Sequence, residues 1–296
     1  MCYMSPEGVV LGADSTSSAL ISSGPGTAGF HYLNHNQKLF ELGDDSTVGV
    51  LTWGLAGLST TSHRTLLALL ADDIKLKPPK TLDEIASRWC SQFWTAYQSD
   101  PGIKMLLGTV QILEGKPAYD PANPSSRTKD EEQQLANLKS SLVAGFCLAG
   151  YWSPDRTPKA FEIVFAPGMQ SAPTPRPIPI ASYAFWGVPN MIKRLMFGVD
   201  DNIKGMILQS GKWAGTDAEL TDLLAQFQLG HPLLPIRDAI DFVHSCIYST
   251  IKAMKFSILF QVCGGPIEIA VITTDRRFRW VRHKQWDAAI IEGASS

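Results

Sequence analysis

The first part of the chain is patterned as β-hairpins. Residues 5–8 read Ser-Pro-Glu-Gly, which has proline and glycine where a type I turn favours them, and the apolar run 9–13 follows. A second hairpin is predicted over residues 38–53, with a polar turn at 43–46. Residues 15–30 are rich in serine, glycine and threonine, so we interpret them as a loop between the two hairpins.

Helical spacing of apolar residues then replaces the strand pattern. A first helix is predicted from Leu66, Leu67, Leu70 and Ile74. The pair Pro78-Pro79 ends it, and Thr81 with Glu84 three residues later has the spacing of a capping box for a second helix. The buried face of that second helix is predicted to comprise Ile85, Trp89 and Phe93.

The second half of the chain repeats the order of strands followed by helices. Strands are predicted over residues 142–151, 161–165 and 180–186. Helices are predicted after Asn190, over 217–228 and after Pro235, and two final strands surround a turn at 273–276. Helices therefore come in blocks and do not alternate with single strands. This order favours a four-layer αββα sandwich of two antiparallel sheets with helices outside, an α+β fold.

Three segments interrupt this order and predict surface insertions. Residues 114–140 are polar, residues 167–180 contain five prolines, and residues 211–230 carry an additional predicted helix. A stretch so rich in proline cannot form a central strand, because proline cannot donate to the strand ladder. Since strand patterns resume after each insertion, we expect residues 1–296 to form a single domain.

Composition narrows the classes of partner. The 296 residues include 26 basic and 28 acidic side chains, a net charge of −2, which favours neither nucleic acid nor a membrane surface as partner. Five cysteines without a CxxC pair predict neither a disulfide framework nor a zinc site. His31 and His35 are four residues apart, but their glycine-rich surroundings indicate a loop better than a metal pair. With no secretory signal and no apolar run of membrane-spanning length, we expect a cytoplasmic protein.

Four segments, in this order, resemble the proteasome β-subunit family of N-terminal nucleophile (Ntn) hydrolases. They are residues 8–15 (GVVLGADS), 37–41 (QKLFE), 48–57 (VGVLTWGLAG) and 263–269 (CGGPIEI). In the family these segments correspond to the strand that ends in an aspartate, the strand with a catalytic lysine, the strand that ends in the oxyanion glycine, and a Ser-Gly-Gly turn. The resemblance spans roughly residues 1–75 and 140–285 and leaves the insertions at 114–140 and 211–230 outside.

The resemblance implies roles for individual residues. Asp14, Lys38, Gly54 and Cys263 fall at catalytic or supporting positions, and Ser18 falls at a substrate-binding position. It also implies hydrolysis of peptide or other amide bonds, no cofactor, and assembly into a homo-oligomer. In such a site an N-terminal amine, whose pKa is about 8, acts as the base for a hydroxyl nucleophile. A lysine supplies positive charge, a carboxylate holds the lysine within about 4 Å, and a glycine N–H stabilises the oxyanion.

The nucleophile itself has no match among these residues. If the first turn is centred between Pro6 and Glu7, residues facing each other across the hairpin have numbers that sum to 13. Cys2 then faces Leu11, roughly 10 Å from Asp14 at about 3.3 Å per residue. The position that faces Asp14 precedes Met1. We therefore expect either a start assigned too late, with a threonine upstream, or a homologue that has lost catalysis.

Other positions also depart from the family pattern. Cys263 replaces its supporting serine, and Phe260 replaces an aspartate three residues earlier. The family's serine-glycine loop after the seventh strand reads Gly-Val-Pro-Asn at residues 187–190. Three hypotheses remain: an amidohydrolase, a catalytically silent subunit that forms rings or dimers, and an acylase that uses Cys2 after removal of Met1.

Overall fold

The computed structural model describes residues 1–22, 28–230, 232–258 and 261–284, with only the backbone described for 18–22 and 28–32. The strands are β1 (Cys2–Ser5), β2 (Gly8–Ala13), β3 (Ser17–Ser22), β4 (Ala28–Leu33), β5 (Leu39–Glu41), β6 (Val48–Gly54), β7 (Ala144–Gly150), β8 (Lys159–Phe165), β9 (Arg176–Ile178), β10 (Ser182–Ala184), β11 (Glu268–Thr273) and β12 (Arg276–Arg282). The helices are α1 (His63–Leu76), α2 (Leu82–Ser99), α3 (Pro101–Glu114), α4 (Lys129–Ser141), α5 (Asn190–Phe197), α6 (Asp201–Gln209), α7 (Asp217–Ala225) and α8 (Ile236–Lys255).

The strands of the described residues form two five-stranded sheets and one hairpin. One sheet has the order β10-β1-β2-β11-β12, the other has the order β5-β6-β7-β8-β9, and β3 pairs with β4. The pairings β1–β2, β1–β10, β6–β7, β7–β8 and β8–β9 are antiparallel. The protein is therefore a mixed α+β fold built on two five-stranded antiparallel sheets, which agrees with the coarse part of the fold prediction.

The chain divides into two compact units, each with its own hydrophobic core. The first unit comprises residues 1–39, 181–271 and 279–296, and the second comprises 40–180 and 272–278. In the first unit, helix α8 packs Val243 and Ile247 with Val10 and Ile269 of strands β2 and β11. In the second unit, helix α2 contributes Trp89 and Phe93, which lie against Phe146 and Phe165 of β7 and β8. A single domain with insertions stays a prediction.

The first hairpin has the register that its turn chemistry predicts. Cys2 pairs with Leu11, Tyr3 with Val10, Met4 with Val9, and Ser5 with Gly8, so each pair of numbers sums to 13. The Ser5 hydroxyl also accepts a hydrogen bond from the Glu7 N–H at 3.2 Å, inside the turn. Both strands are buried along their whole length. The proline and glycine of the turn, together with this apolar run, were sufficient to predict the pairing.

Several elements differ from the sequence prediction. Residues 15–30, interpreted as a loop, contribute β3 and the start of β4. The serine and glycine content on which the loop interpretation rested did not exclude a strand pair. Helices α3, α4 and α6 were not predicted, although α4 begins with a complete capping box between Thr128 and Glu131. The capping box at Thr81 is only half formed. Thr81 accepts from the Glu84 N–H, but the Glu84 carboxylate accepts from the N–H of Lys80.

The proline-rich stretch forms the edge of a sheet. Pro177 lies in β9, which pairs with β8 on one side only. An edge strand can tolerate proline because one row of its backbone groups has no strand partner, so the exclusion of a central strand here is confirmed. Asn190 is the first residue of α5, not its cap, and Pro189 precedes it. Among the described helices, none combines the length and the apolar composition that a membrane span requires.

His63 is a buried titratable group of the second unit whose pKa is governed by burial. Its ring lies edge-on to Phe93 and Phe146, with centroids 5.6 and 5.1 Å away. Nδ1 lies 3.4 Å from the Thr52 hydroxyl, and Nε2 has no hydrogen-bond partner among the described residues. Burial lowers the pKa of His63 to about 4, because the aromatic surroundings cannot solvate an imidazolium.

This burial predicts acid sensitivity. The unfolded chain binds a proton at His63 with a pKa near 6.5, whereas the folded chain does so only near 4, so stability falls as the pH drops through that window. We expect His63 to account for a loss of about 3 kcal/mol between pH 7 and pH 4. Urea unfolding at both pH values checks this. The His63→Phe variant should lose less stability between pH 7 and pH 4 than the unaltered chain. The control variant His35→Gln, at an exposed histidine, should lose as much as the unaltered chain. An equal loss in His63→Phe and in the unaltered chain would contradict it.

Candidate active site

The ion pair between Asp14 and Lys38 is the centre of the candidate site. Asp14 directly follows β2, and Lys38 directly precedes β5. The Lys38 Nζ donates a hydrogen bond to Asp14 Oδ1 at 2.7 Å. The two side chains are only 19% and 14% exposed, which shields the pair from solvent screening. The predicted approach of a carboxylate to Lys38 is confirmed.

The second oxygen of Asp14 is held by the backbone. Oδ2 accepts hydrogen bonds from the N–H of Gly264 at 3.0 Å and from the N–H of Thr16 at 3.1 Å. Gly264 belongs to the Gly-Gly turn that precedes β11, 250 residues away in sequence. Three nitrogen donors thus converge on one carboxylate, and they fix its orientation.

Cys263 borders this carboxylate but is a poor nucleophile. Burial raises the pKa of its thiol to about 12, and the negative charge of Asp14 adds to the rise. The positive charges of Lys38 and of the Met1 α-amino group act in the opposite direction, and the thiol also hydrogen-bonds to Asp14. With this raised pKa the Cys263 thiol stays protonated near neutral pH. It is a poor nucleophile for that reason, because the thiolate is the reactive form. Its predicted supporting role stays a prediction, and its neutral S–H suits a weak donor.

The first strand brings the start of the chain beside strand β2. The Met1 α-amino group donates to the carbonyl of Gly12 at 2.8 Å, and the Gly12 N–H donates to the Met1 carbonyl at 3.0 Å. Cys2 lies one residue further from Asp14, with its side chain fully buried between Leu11 and Ala184 in the strand register. Cys2 therefore occupies the strand position predicted for it, away from the Asp14 end.

Gly54 ends β6 in the second unit and has a conformation that requires glycine. Its φ is +79°, and a Cβ at this position would overlap the backbone carbonyl of Val143. The N–H of Leu55 donates to that same carbonyl at 2.7 Å, which fixes the end of the strand. These features account for the glycine structurally. The predicted role of Gly54 as an oxyanion donor beside Asp14 stays a prediction.

For several predicted positions the side chain lies outside the described residues. The backbone of Ser18 is in β3, opposite Tyr32, but its side chain lies outside the described residues, as does that of His31. Phe260 also lies outside them. Within the described residues, no group of three or more histidine, cysteine or acidic side chains could hold a metal ion. The substrate-binding role of Ser18 stays a prediction.

The sequence prediction missed a group of polar side chains that flank the ion pair. Lys284 donates to the Ser15 hydroxyl at 3.2 Å, to the Asn36 carbonyl at 2.8 Å and to Glu268 Oε2 at 3.2 Å. Glu268 has no exposed surface although its side chain ends in a carboxyl group. A glutamate inside the strand pattern of β11 was a signal for such a network, since a buried carboxylate requires a partner.

No protein-family model matches the chain, and no curated protein matches it.

We predict that Gly54 is needed for stability independently of any chemistry. Gly54→Ala should lower the free energy of unfolding by about 1–3 kcal/mol, because alanine is strained at this φ and its Cβ meets Val143. Gly57→Ala is the matched control, since its nearest neighbour would be the Thr61 carbonyl oxygen at an ordinary 3.9 Å. Chemical denaturation of both variants measures the difference. Equal losses in the two variants would show that the Gly54 conformation is not required.

Proposed function

We propose that this protein is an amidohydrolase of the Ntn type, acting on peptide or other amide bonds. The observation that carries the proposal is the shielded Lys38–Asp14 ion pair, 2.7 Å long, at the end of the first hairpin. An ammonium ion held by a carboxylate favours deprotonation of a nearby hydroxyl or amine. The Gly264 N–H on the other Asp14 oxygen keeps the carboxylate oriented for this task.

The roles follow from the charges of these groups. Lys38 would lower the pKa of a hydroxyl nucleophile and stabilise the negative charge that it acquires during attack. Asp14, already hydrogen-bonded to Lys38, keeps the lysine charged and positioned. A free α-amino group would take the proton from the nucleophile and return it to the leaving amine. Gly54 would donate its backbone N–H to the oxyanion.

The hairpin register supports a nucleophile upstream of Met1. Met1 faces Gly12 through two hydrogen bonds, so a strand continued past Met1 would pass Ala13 and then Asp14. A hydroxyl in that continuation would come within reach of Lys38, whereas Cys2 faces Leu11. By the resemblance, the nucleophile would be a threonine at the strand position that faces Asp14.

The proposal includes the architecture and the assembly that the resemblance implies. The two five-stranded antiparallel sheets would stack face to face with helices outside, as the αββα sandwich of the Ntn hydrolases. The protein would assemble as a homo-oligomer. Exposed large apolar side chains between α5 and the loop after α7 are compatible with such assembly; they are Leu195, Met206, Leu223, Phe227 and Leu229.

A second candidate is a catalytically silent subunit of such an assembly. The observation in its favour is Cys263, whose thiol is held protonated by burial where the family has a serine hydroxyl. A thiol is a weaker hydrogen-bond donor than a hydroxyl, so the support around a nucleophile would be reduced. The third hypothesis, a Cys2-dependent acylase, is the least compatible with the geometry because Cys2 is fully buried in the hairpin.

Three proteins test the proposal in one assay. They are the chain as given, its Cys2→Ala variant, and a chain extended upstream with a free N-terminal threonine that faces Asp14. We expect the first two to be inactive on a panel of fluorogenic peptides, and the extended chain to be active. A displacement of 1 Å can already cost about a hundredfold in rate, so Cys2, three residues from the site, should not support catalysis.

Lys38 variants of the extended chain provide the control for mechanism. Lys38→Ala should reduce kcat by about a hundredfold or more, because the developing negative charge loses its cation. Lys159→Ala, which breaks an exposed ion pair with Asp83, should leave kcat unchanged. Activity of the given chain that disappears in Cys2→Ala would instead identify Cys2 as the nucleophile. Inactivity of all three proteins would favour the silent subunit.

A further inference from the structure

We infer that Lys284 is a positioning residue for the Asp14–Lys38 site, acting through Ser15 and Asn36. The inference rests on the proposed function, because it assigns to that site a component that follows the last strand. Lys284 follows β12 and is far in sequence from both members of the ion pair. It reaches the two segments that carry them.

All three donors of the Lys284 ammonium group have protein acceptors. Nζ lies 2.8 Å from the Asn36 carbonyl oxygen and 3.2 Å from both Ser15 Oγ and Glu268 Oε2. An ammonium group has three N–H donors, and these three acceptors match that number. The side chain is 12% exposed, whereas a lysine without such a role keeps its charged end in water.

Glu268 accounts for the burial of this cation. Its side chain is 0% exposed, and a carboxylate buried to this degree is unfavourable unless a cation accompanies it. Lys284 meets Oε2, and His283 Nδ1 lies 2.8 Å from Oε1. Glu268 of strand β11 thus holds one side of the Lys284 ammonium group. The other two contacts of that group are with Ser15 and Asn36.

The contacts of Lys284 continue to both members of the ion pair. Ser15 directly follows Asp14, and Asn36 lies two residues before Lys38. The Ser15 N–H donates to the Gly264 carbonyl at 2.9 Å, and the Asn36 N–H donates to the Ser15 carbonyl at 3.0 Å. The Gly264 N–H in turn donates to Asp14. Lys284 therefore joins three segments whose relative placement sets the distance between Lys38 and Asp14.

The Ser15 hydroxyl connects the cation to the turn that carries Gly264. Ser15 Oγ accepts from Lys284 and donates to the Pro266 carbonyl at 2.7 Å. Because the hydroxyl both donates and accepts a hydrogen bond, these contacts fix the Ser15 side-chain rotamer. They also restrain the backbone next to Asp14. Loss of Lys284 would leave Glu268 buried without this partner and would release Ser15 and Asn36 together.

Amide hydrogen exchange tests this inference without requiring activity. In Lys284→Met, exchange of the Ser15, Asn36 and Gly264 amides, followed by NMR, should accelerate by about tenfold or more, since the hydrogen bonds that hold these segments weaken. The amides of Val10 and Ile269, in the interior of β2 and β11, should change by less than about twofold. Lys284→Arg, which keeps the charge but not the three-way geometry, should give intermediate rates at the same three amides.

A second variant covers the case in which Lys284→Met does not fold. Ser15→Ala removes only the hydroxyl between Lys284 and Pro266, and it should accelerate exchange at Asn36 and Gly264 in the same way. Lys159→Met, which removes an exposed lysine from its ion pair with Asp83, should leave all these amides unchanged. Unchanged rates at the three amides would overturn the inference. Equal acceleration at all amides would also overturn it, because Lys284 would then only stabilise the fold.

In the extended chain, the same variant separates positioning from binding. Lys284→Met should lower kcat by about tenfold with little change in KM, because orientation of the reacting groups affects the chemical step more than substrate affinity. Lys284→Arg should recover part of the loss. An unchanged kcat in an active enzyme would overturn the inference. If the extended chain is inactive, the proposed function fails while the exchange experiment still decides the role of Lys284.

Discussion

The Asp14 carboxylate is the point on which the local structure of the candidate site depends. It accepts from a lysine ammonium and from two backbone N–H groups, and each donor comes from a different segment of the chain. Withdrawing a carboxylate and an ammonium from water costs free energy that only close pairing and further hydrogen bonds can offset. The segments around residues 14–16, 34–38 and 263–266 must therefore meet accurately.

The surrounding elements maintain this meeting point by packing. Strand β2, which leads to Asp14, is buried on both faces, and α8 covers it with Val243 and Ile247. A Cβ on Gly12 would meet both of these side chains, so the helix can approach only because this strand position is a glycine. Strand β11 holds Glu268 in the same layer. The tight packing of β2 against α8 therefore restricts movement of the backbone that carries Asp14 of the ion pair.

The apolar core of the second unit contains polar groups that it cannot solvate. Its aromatic cluster includes a histidine ring that burial keeps neutral, and the indole N–H of Trp89 has no hydrogen-bond partner among the described residues. Such groups are tolerated because the packing of the rings around Phe146 offsets the lost hydrogen bonds. The result is a unit whose stability depends on pH through a residue that the proposed chemistry does not use.

The sequence by itself determined the elements whose signals are local. The hairpin register over residues 2–11 followed from a Pro-Glu turn between apolar strands, and α1, α2 and α8 followed from helical spacing. The pairing of Asp14 with Lys38 was predicted only through resemblance, because residues 24 positions apart carry no local signal of contact. The tertiary structure alone decided the Glu268–Lys284 network, whose members converge from distant segments. Spacing and turn chemistry act over a few residues, whereas a buried charge finds its partners only once the strands have packed.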